Sequence, residues 1–385
     1  MGFNIPETMI FHPKAILIMN DEVINPKNYL SIIQSNQFTE DWAQDIMFFL
    51  NDYLNDSSQL ELKTSGTTGK PKSNWIDKVK MVYSARLTGS YFDLKSGDLA
   101  LLSLSSSYIA AKMMIVRALT LGLTLHIVKP SSNPLLESNL PQIIDFAPFV
   151  PLQMATMIDN ELSLSGLKKI KKIIVGGGNL NYHLSEEIKQ LPNKIYETFG
   201  MTETLSHVAV RRINDHNNKS LKFNALPGIS FETDNRSCLV IDAPEILGEK
   251  LVTNDVVKLS DPNSFEWKGR IDNMINSGGI KISPETIEKQ LEPYINSPFF
   301  VGSVPDNQLG EKVVLIIEDL PNNLHLCNLF ELMNEVLPKY HVPKVMYAIP
   351  VLKRNSNGKI LRKDILEELD EKSNNYQVVR NILDI

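Results

Sequence analysis

Short apolar runs alternate with amphipathic segments through much of the sequence, and this alternation limits the folds that the chain can adopt. Between residues 60 and 257, runs as long as buried strands are separated by stretches whose apolar residues recur with helical spacing. Strands that alternate with helices favour parallel α/β layers, in which helices cover a mainly parallel sheet. The pattern predicts helices at 40–54, 79–94 and 110–121, another that begins at 141–146, and strands at 99–103, 123–128 and 172–175.

A smaller α+β unit is predicted towards the end of the 385 residues. Ser283-Pro284-Glu285 has the composition of a helix start, with a capping hydroxyl, a proline in the first turn and an early acid. Predicted strands at 299–304 and 312–317 flank a turn at 306–308, and a helix is predicted at 326–337.

Composition and charge exclude several classes of function. With 43% hydrophobic and 22% charged residues and a net charge of -6, the chain fits a globular protein and offers no basic surface for nucleic acid. Cys238 and Cys327 give neither a disulfide framework nor a metal-binding spacing, which favours a reducing compartment. No signal peptide is recognisable, and Lys112 and Arg117 interrupt the longest apolar stretch, at 109–128. These features predict a cytoplasmic protein without a membrane span.

The run from Thr64 to Lys72 combines hydroxyl side chains, glycines and lysines, the residue types that bind phosphate groups. It differs from the common nucleotide-binding loop, because Gly66 and Gly69 are too close together and Pro71 follows Lys70. A proline has no N–H to donate to phosphate at a helix start, so a different phosphate geometry is expected. The alternative is a polar surface turn.

Three further segments follow in the order 196–204, 267–279 and 355–362, with the sequences YETFGMTET, WKGRIDNMINSGG and NSNGKILR. Together with the phosphate loop, they resemble the core motifs of the adenylate-forming enzymes, which include acyl-CoA synthetases, luciferases and peptide-synthetase adenylation domains. The resemblance runs from about residue 60 to about residue 365. In most relatives the phosphate loop lies further from the N-terminus, so the N-terminal region is expected to be shortened here, and a homodimer is left open.

The resemblance implies that a carboxylate is activated in two steps. The carboxylate first attacks the α-phosphorus of ATP to give an acyl-adenylate and pyrophosphate, and a thiol, in most relatives coenzyme A, then attacks the activated carbonyl. Lys359 would bridge the attacking carboxylate and the α-phosphate, Thr202 would contact the α-phosphate, and Glu203 would bind Mg²⁺. Taken alone, Lys359 could instead be a solvated lysine, and Glu203 could form a surface ion pair. The phosphate loop implied by the resemblance consists of Thr64, Ser65, Gly66, Thr67, Thr68, Gly69 and Lys70.

Further positions match the nucleotide-binding motifs of the family. Gly177 and Gly178 would lie near adenine and the acyl group, although a glycine run after a strand is also common in ordinary turns. Tyr196 would either stack on adenine or belong to the core. Asp255 would accept hydrogen bonds from both ribose hydroxyls, and Arg270 would reach the ribose or the phosphates.

The resemblance also implies two domains that move relative to each other. The fold class is α/β, with a large N-terminal AMP-binding domain over residues 1–268 and a small hinged α+β domain over 274–385. The hinge is expected at 269–273, with Asp272 as its central residue. Gly278 and Gly279 would line the tunnel for the thiol after the small domain has rotated.

The substrate is less explicit, because the segment 103–112 lacks the proline and histidine that are typical of the acyl pocket. Lys112, Arg117 and His207 offer polar groups that could meet a second carboxylate, although Lys112 and Arg117 could also face solvent on a helix. Tyr108, Lys112 and His207 are the residues predicted to line the substrate pocket. The short chain, the segment 196–208 and the pattern at 108–117 together resemble the compact o-succinylbenzoate–CoA ligases of menaquinone biosynthesis. The substrate of those enzymes is an aryl keto acid with two carboxylates. Other aryl- or acyl-CoA ligases, a stand-alone adenylation domain that charges a carrier protein, and a catalytically silent nucleotide-binding regulator remain alternatives.

Overall fold

The computed structural model describes residues 11–35, 37–64, 72–136, 140–178, 180–215, 221–318, 325–354, 360–369 and 377–380. The strands of these ranges are β1 (Ile16–Met19), β2 (Glu22–Ile24), β3 (Gln59–Thr64), β4 (Lys72–Asp77), β5 (Leu99–Leu102), β6 (Thr124–Ile127), β7 (Ile144–Phe149), β8 (Ile170–Val175), β9 (Lys194–Gly200), β10 (His207–Arg212), β11 (Phe223–Ala225), β12 (Ser230–Thr233), β13 (Cys238–Asp242), β14 (Leu251–Asp261), β15 (Ser264–Arg270), β16 (Ile275–Ser277), β17 (Ile280–Ile282), β18 (Phe299–Asp306), β19 (Gly310–Glu318), β20 (Val345–Ile349) and β21 (Gln377–Arg380).

The α-helices of the same ranges are α1 (Tyr29–Ser35), α2 (Asp41–Leu54), α3 (Lys78–Phe92), α4 (Ile109–Leu121), α5 (Pro151–Ile158), α6 (Glu161–Leu167), α7 (Tyr182–Lys189), α8 (Pro244–Leu247), α9 (Pro284–Leu291), α10 (His325–Val336) and α11 (Arg362–Glu368). In the described part of the chain, none of these helices combines the length and the apolar composition that a bilayer span requires.

One large sheet forms the centre of the N-terminal part, in the order β12-β13-β14-β15-β11-β10-β9-β8-β7-β5-β6-β1-β2. The neighbours from β1 through β6, β5, β7 and β8 to β9 are parallel, as the alternation of strands and helices predicts. The α/β class is therefore confirmed. From β10 to β15 the sheet continues with antiparallel neighbours, a continuation that the sequence analysis did not foresee.

The helix predicted to begin at 141–146 is wrong, because Ile144–Phe149 forms β7 in the middle of the sheet. Pro148 is tolerated because β7 meets β5 only at the pair Ala100–Phe146, so no ladder bond to β5 needs an N–H at Pro148. The Asp145 carboxylate accepts the Leu99 backbone N–H at 2.8 Å, which ties the start of β5 to β7.

Two smaller sheets complete the described structure. β3 and β4 pair as an antiparallel hairpin in which Thr64 is opposite Lys72, so the predicted phosphate loop joins two strands instead of a strand and a helix. The C-terminal sheet has the order β17-β16-β19-β20-β21, with β18 beside β19. α9 begins where the sequence predicts, and the Ser283 hydroxyl accepts the Thr286 N–H. The large sheet ends at Arg270 and the C-terminal sheet begins at Ile275.

Candidate functional site

The parallel strands β5, β8 and β9 bring several predicted site residues to one edge of the large sheet. Carboxyl ends of parallel strands share an edge, and ligands of open α/β sheets bind there. Gly176–Gly178 follow β8, and the Gly176 N–H donates to the Phe149 carbonyl at the end of β7. β9 ends at Gly200 and leads into a 3₁₀ turn over Thr202–Thr204 that presents Glu203.

At Gly200 the end of β9 lies very close to the backbone at the start of β10, so the chain makes a tight turn between the two strands. Gly200 is paired with His207, and a Cβ at Gly200 would lie 2.4 Å from the Ser206 carbonyl oxygen. The Thr204 hydroxyl accepts the Met201 N–H at 3.0 Å and donates to the Ser206 carbonyl at 2.8 Å. These bonds fix the turn that leads from Glu203 to His207 at the start of β10.

Glu203 has the properties that the resemblance requires of a Mg²⁺ ligand. Its side chain is exposed and makes no ion pair with any residue that the structure describes. Within the described ranges no group of three acidic, histidine or cysteine side chains could hold a metal by itself. A magnesium ion that arrives with a triphosphate needs only one or two protein carboxylates, so the single carboxylate of Glu203 fits such an ion.

Arg117 is buried beside this turn. It is 2% exposed, and its Nε donates to the Thr88 hydroxyl on α3 at 3.2 Å, while its terminal nitrogen donates to the Ser206 hydroxyl. The alternative that Arg117 faces solvent is therefore wrong. No acidic side chain of the described residues pairs with it, and burial lowers the pKa of Arg117 to about 9. The guanidinium thus remains a cation at neutral pH, and no described side chain supplies a counter-ion for it.

His207 completes the same cluster from β10. Its two ring nitrogens lie 3.3 Å from the hydroxyl oxygens of Thr88 and Ser206. Burial, and secondarily the nearby Arg117 cation, holds the pKa of His207 well below its usual value. The imidazole is therefore neutral at physiological pH, and Arg117 carries the only positive charge of this four-residue cluster.

A second group of predicted residues lies on β14 and β15. Asp255 is 7% exposed, accepts the Trp267 Nε1–H at 2.9 Å and is opposite Arg270 in the strand register. Arg270 donates to Asp272 at 2.8 Å, and this hydrogen bond is the main reason that the pKa of Asp272 is lowered. The Asn254 amide also donates to Asp272, at 3.1 Å. Arg270, Asn254 and Asp272 thus form one hydrogen-bonded network, and Asp255 is opposite Arg270 on the neighbouring strand.

Other predicted residues have different surroundings. Tyr196 packs edge-to-face on Phe92, with ring centroids 5.1 Å apart, and is part of the main hydrophobic core, so its ring has the contacts of the core alternative. Tyr108 is half exposed just before α4. Lys112 lies over the Phe49 ring of α2 with its Nζ 5.8 Å from the centroid, on a different side of α4 from Arg117. The structure therefore does not bring Lys112 to the Arg117 cluster.

Comparison with known proteins places the chain in a family. The model of the AMP-binding enzyme family matches residues 62–238. An acyl-CoA synthetase (AMP-forming)/AMP-acid ligase II-like protein from Dyadobacter fermentans has 30% sequence identity and a TM-score of 0.58, with 88% of this chain and 98% of that chain covered. The chain belongs to the AMP-binding enzyme family.

Two further similarities concern succinylbenzoate ligases. A 2-succinylbenzoate–CoA ligase from Lactococcus lactis is 26% identical over 87% of this chain and 77% of its own length. The structure of o-succinylbenzoate CoA synthetase (MenE) from Bacillus subtilis with the acyl-adenylate OSB-AMP has a TM-score of 0.67 and 20% identity, with 80% of this chain and 68% of that chain covered. At this identity the structural likeness shows the fold alone.

Several residues that this AMP-binding enzyme is predicted to use lie at or beyond the limits of the described structure. Ser65 to Lys70 of the phosphate loop and Lys359 lie outside the described residues, and Thr64 is the last residue of β3. Gly278 and Gly279 form the turn between β16 and β17 with positive φ values of 57° and 84°. Their roles, like those of Gly177 and Gly178, stay predictions.

The partners of the charged residues were not predicted from the sequence. Ser206 and Thr88 hold Arg117, and Trp267 holds Asp255. Trp267 is the first residue of the motif at 267–279, so the sequence could have indicated that it belongs to the site. For Thr88 the sequence gives no such signal, because only the packing of α3 against α4 brings it to Arg117.

Proposed function

We propose that this AMP-binding enzyme is a 2-succinylbenzoate–CoA ligase that works through an acyl-adenylate. The substrate carboxylate attacks the α-phosphorus of ATP, the bond to pyrophosphate breaks, and the thiol of coenzyme A then displaces AMP from the acyl group. ATP, coenzyme A and the acid are its small-molecule partners. The proposal places the enzyme in the cytoplasm, and a homodimer stays a prediction.

The observation that carries the substrate assignment is the buried Arg117, which has no acidic partner among the residues that the structure describes. A charge removed from water costs several kcal/mol unless a counter-charge and hydrogen bonds compensate for it. Hydroxyls of Thr88 and Ser206 are its described partners, and neutral His207 adds no charge. A substrate with a second carboxylate supplies the missing anion. 2-Succinylbenzoate has one carboxylate to be activated and another on its ring.

The other residues fit the adenylation step. Asp255 accepts the ribose hydroxyls with the oxygen positions that Trp267 leaves free, and Arg270 adds positive charge near the nucleotide. Glu203 would hold Mg²⁺, which when bound neutralises charge on the phosphates. The Thr88 and Ser206 hydroxyls contact the Arg117 guanidinium directly, and the neutral imidazole of His207 contacts both hydroxyls, so these groups keep the guanidinium in place.

Pyrophosphate exchange with a pair of matched acids tests the assignment. We expect exchange with 2-succinylbenzoate, and weaker exchange with 4-oxo-4-phenylbutanoate, which lacks the ring carboxylate. Arg117→Met should lower kcat/KM for the diacid roughly 30-fold or more, as is typical when one member of a buried charge pair is removed. The monoacid should be affected far less, since it never paired with Arg117.

Lys112→Met is the control, because Lys112 lies on another side of the same helix and contacts Phe49. It should preserve the preference for the diacid. Adding coenzyme A should then yield the thioester. Exchange with fatty acids or benzoates but not with 2-succinylbenzoate would replace the substrate assignment, and no exchange with any acid would favour a silent nucleotide-binding protein.

A further inference from the structure

The motif at 355–362 ends in Arg362, a residue that has no role in the adenylation chemistry described above. Arg362 is the first residue of α11, and its guanidinium makes two parallel hydrogen bonds to the carboxylate of Glu288 on α9. Nη1 donates to Oε1 at 2.8 Å, and Nη2 donates to Oε2 at 2.9 Å. The Glu288 side chain is 12% exposed and that of Arg362 is 34% exposed. Such a paired contact requires the planar fork of a guanidinium, which a lysine cannot reproduce.

Both members of this ion pair are fixed by further contacts with β18. Glu288 Oε1 also accepts the backbone N–H of Val301 at 2.8 Å. The Arg362 guanidinium lies over the ring of Phe300, with Cζ 5.5 Å from the ring centroid, and Phe300 is fully buried. The ion pair therefore ties the start of α11 to α9 and to β18 in one fixed orientation.

The chain that precedes α11 is held in the same place. Residues 355–359 lie outside the described structure, but the residues on both sides of them are described. Arg354 and Ile360 form an antiparallel bridge, and the Leu361 N–H donates to the Lys353 carbonyl at 2.9 Å. The two flanks of the segment are thus joined to each other.

Each flank is also joined to the C-terminal sheet or to a helix that packs on it. Arg354 donates to Glu318 at the end of β19 at 2.9 Å, and Arg362 donates to Glu288 on α9. The predicted catalytic Lys359 directly precedes Ile360, so the Cα atoms of these two residues are about 3.8 Å apart. The position from which the Lys359 side chain starts is therefore set within one residue by groups that the ion pairs hold.

We propose that Arg362 and Glu288 are positioning residues that hold the chain beside Lys359 in the orientation required for adenylate formation. The proposal rests on the proposed adenylation and on the predicted role of Lys359, and it is independent of which acid the enzyme activates. Two charges removed from water repay little of their desolvation through mutual attraction, so stability alone is a weak reason for this pair. Its paired geometry supplies direction, which a positioning role requires.

The double variant Glu288→Gln/Arg362→Met removes the ion pair without leaving an unpaired charge. Gln keeps an acceptor for the Val301 N–H, and Met keeps an apolar chain against Phe300, so the fold should be retained. Adenylate formation should fall about 10²-fold, because a misplacement of about 1 Å has an effect of this size. Thioester formation from preformed acyl-adenylate and coenzyme A should keep its wild-type rate, since Lys359 acts only in the first step. A role in stability alone predicts no such difference between the two steps.

Arg362→Lys is a milder variant that keeps the charge but loses the paired bonds. It should show the same difference between the steps, with adenylate formation about 10-fold slower than in the wild type. Single-turnover assays measure both steps, with an acid that the wild type activates in pyrophosphate exchange. Circular dichroism and thermal unfolding show whether each variant is folded.

Hydrogen exchange in the full chain without substrates gives a readout that needs no activity. The Leu361 N–H, which donates to Lys353, should exchange at least about 10-fold faster in the double variant, because its strand is no longer tied to α9. This result is expected whichever acid the enzyme uses.

Lys363→Met is the matched control, because Lys363 is the next residue on α11 and its described ion pair, with Glu367 at 3.7 Å, is exposed. This variant should keep the wild-type rates of both steps and of Leu361 exchange. Equal losses in both steps, an unchanged rate of adenylate formation, or unchanged Leu361 exchange in the folded double variant would overturn the proposal. A wild type that activates no acid would contradict the proposed function instead, and hydrogen exchange would still decide whether the pair holds this segment.

Discussion

Two charged side chains of the candidate site, Arg117 and Asp255, are 2% and 7% exposed, and their surroundings differ in an instructive way. Asp255 has an indole N–H donor in Trp267 and faces Arg270 across the strand pair. Arg117 has only hydroxyl partners among the described residues. The charge of Asp255 is therefore compensated within the protein, and its carboxylate has acceptor positions left for a diol. The charge of Arg117 needs an anion from a ligand.

Asp255→Asn should weaken ATP binding with little change in the folded structure. The amide keeps one acceptor oxygen but replaces the other by a donor, which cannot accept a ribose hydroxyl. Loss of a hydrogen bond to a charged group corresponds to an increase in KM for ATP of about 10- to 100-fold. Asp261→Asn, at the far end of the same strand, is the control and should leave this KM unchanged. An unchanged KM in both variants would remove Asp255 from the ribose site.

Single residues also show what the sequence could predict about the site. The family resemblance predicted Asp255 and Arg270 as nucleotide-binding residues, and the strand register places these two residues opposite each other. Burial of Arg117 was not predictable with the same certainty, because a charged residue on a helix is usually solvated. Its depth depends on α4 being covered on both sides, by α3 and by the sheet, which is a tertiary property.

At the scale of elements, the β9–β10 hairpin positions Glu203, Ser206 and His207 of the candidate site. Gly200→Ala should destabilise the protein by about 2–3 kcal/mol, because its Cβ would meet the backbone of Ser206 at 2.4 Å and β10 cannot move without losing its register. Urea unfolding measures the loss. Gly166→Ala on α6 is the control, since its Cβ would only touch Leu135 at 3.7 Å, and it should be neutral or slightly stabilising. Equal stability of both variants would contradict the packing argument.

Elements with strong local signals were predicted well. The helices α2, α3 and α4 and the strands β5, β6 and β8 lie within a few residues of their predicted positions, because each has a periodic pattern bounded by polar residues. β7 was misread as part of a helix, because only its pairing with β5 and β8 makes it a strand. The antiparallel strands β10 to β15 follow from pairing between distant residues, which a local pattern does not encode.

At the scale of the whole molecule, one short segment connects the two sheets. Ile271–Asn273 forms a 3₁₀ turn between β15 and β16, and the sequence motif around it predicted a hinge here. Asp272 in this turn accepts hydrogen bonds from Arg270 and Asn254, so the present arrangement is held by the same network that includes the predicted nucleotide-binding residues. The predicted contact of ATP with Arg270 would compete with this ion pair and thereby couple the nucleotide to the predicted hinge.

Asp272→Pro tests whether this turn is where the two parts rotate. Proline fixes its own φ and restricts the residue before it, so the variant should be confined to one arrangement. We expect one half-reaction, adenylate formation or thioester formation, to fall by about 10²-fold while the other is retained, because misplaced groups act in only one of them. Single-turnover assays measure both steps separately. Asp272→Asn removes the charge from the Arg270 pair without stiffening the backbone, and it should slow neither step to this extent. Unchanged kinetics in the proline variant would remove the hinge from this segment, and equal losses in both steps would indicate damage to the nucleotide site instead.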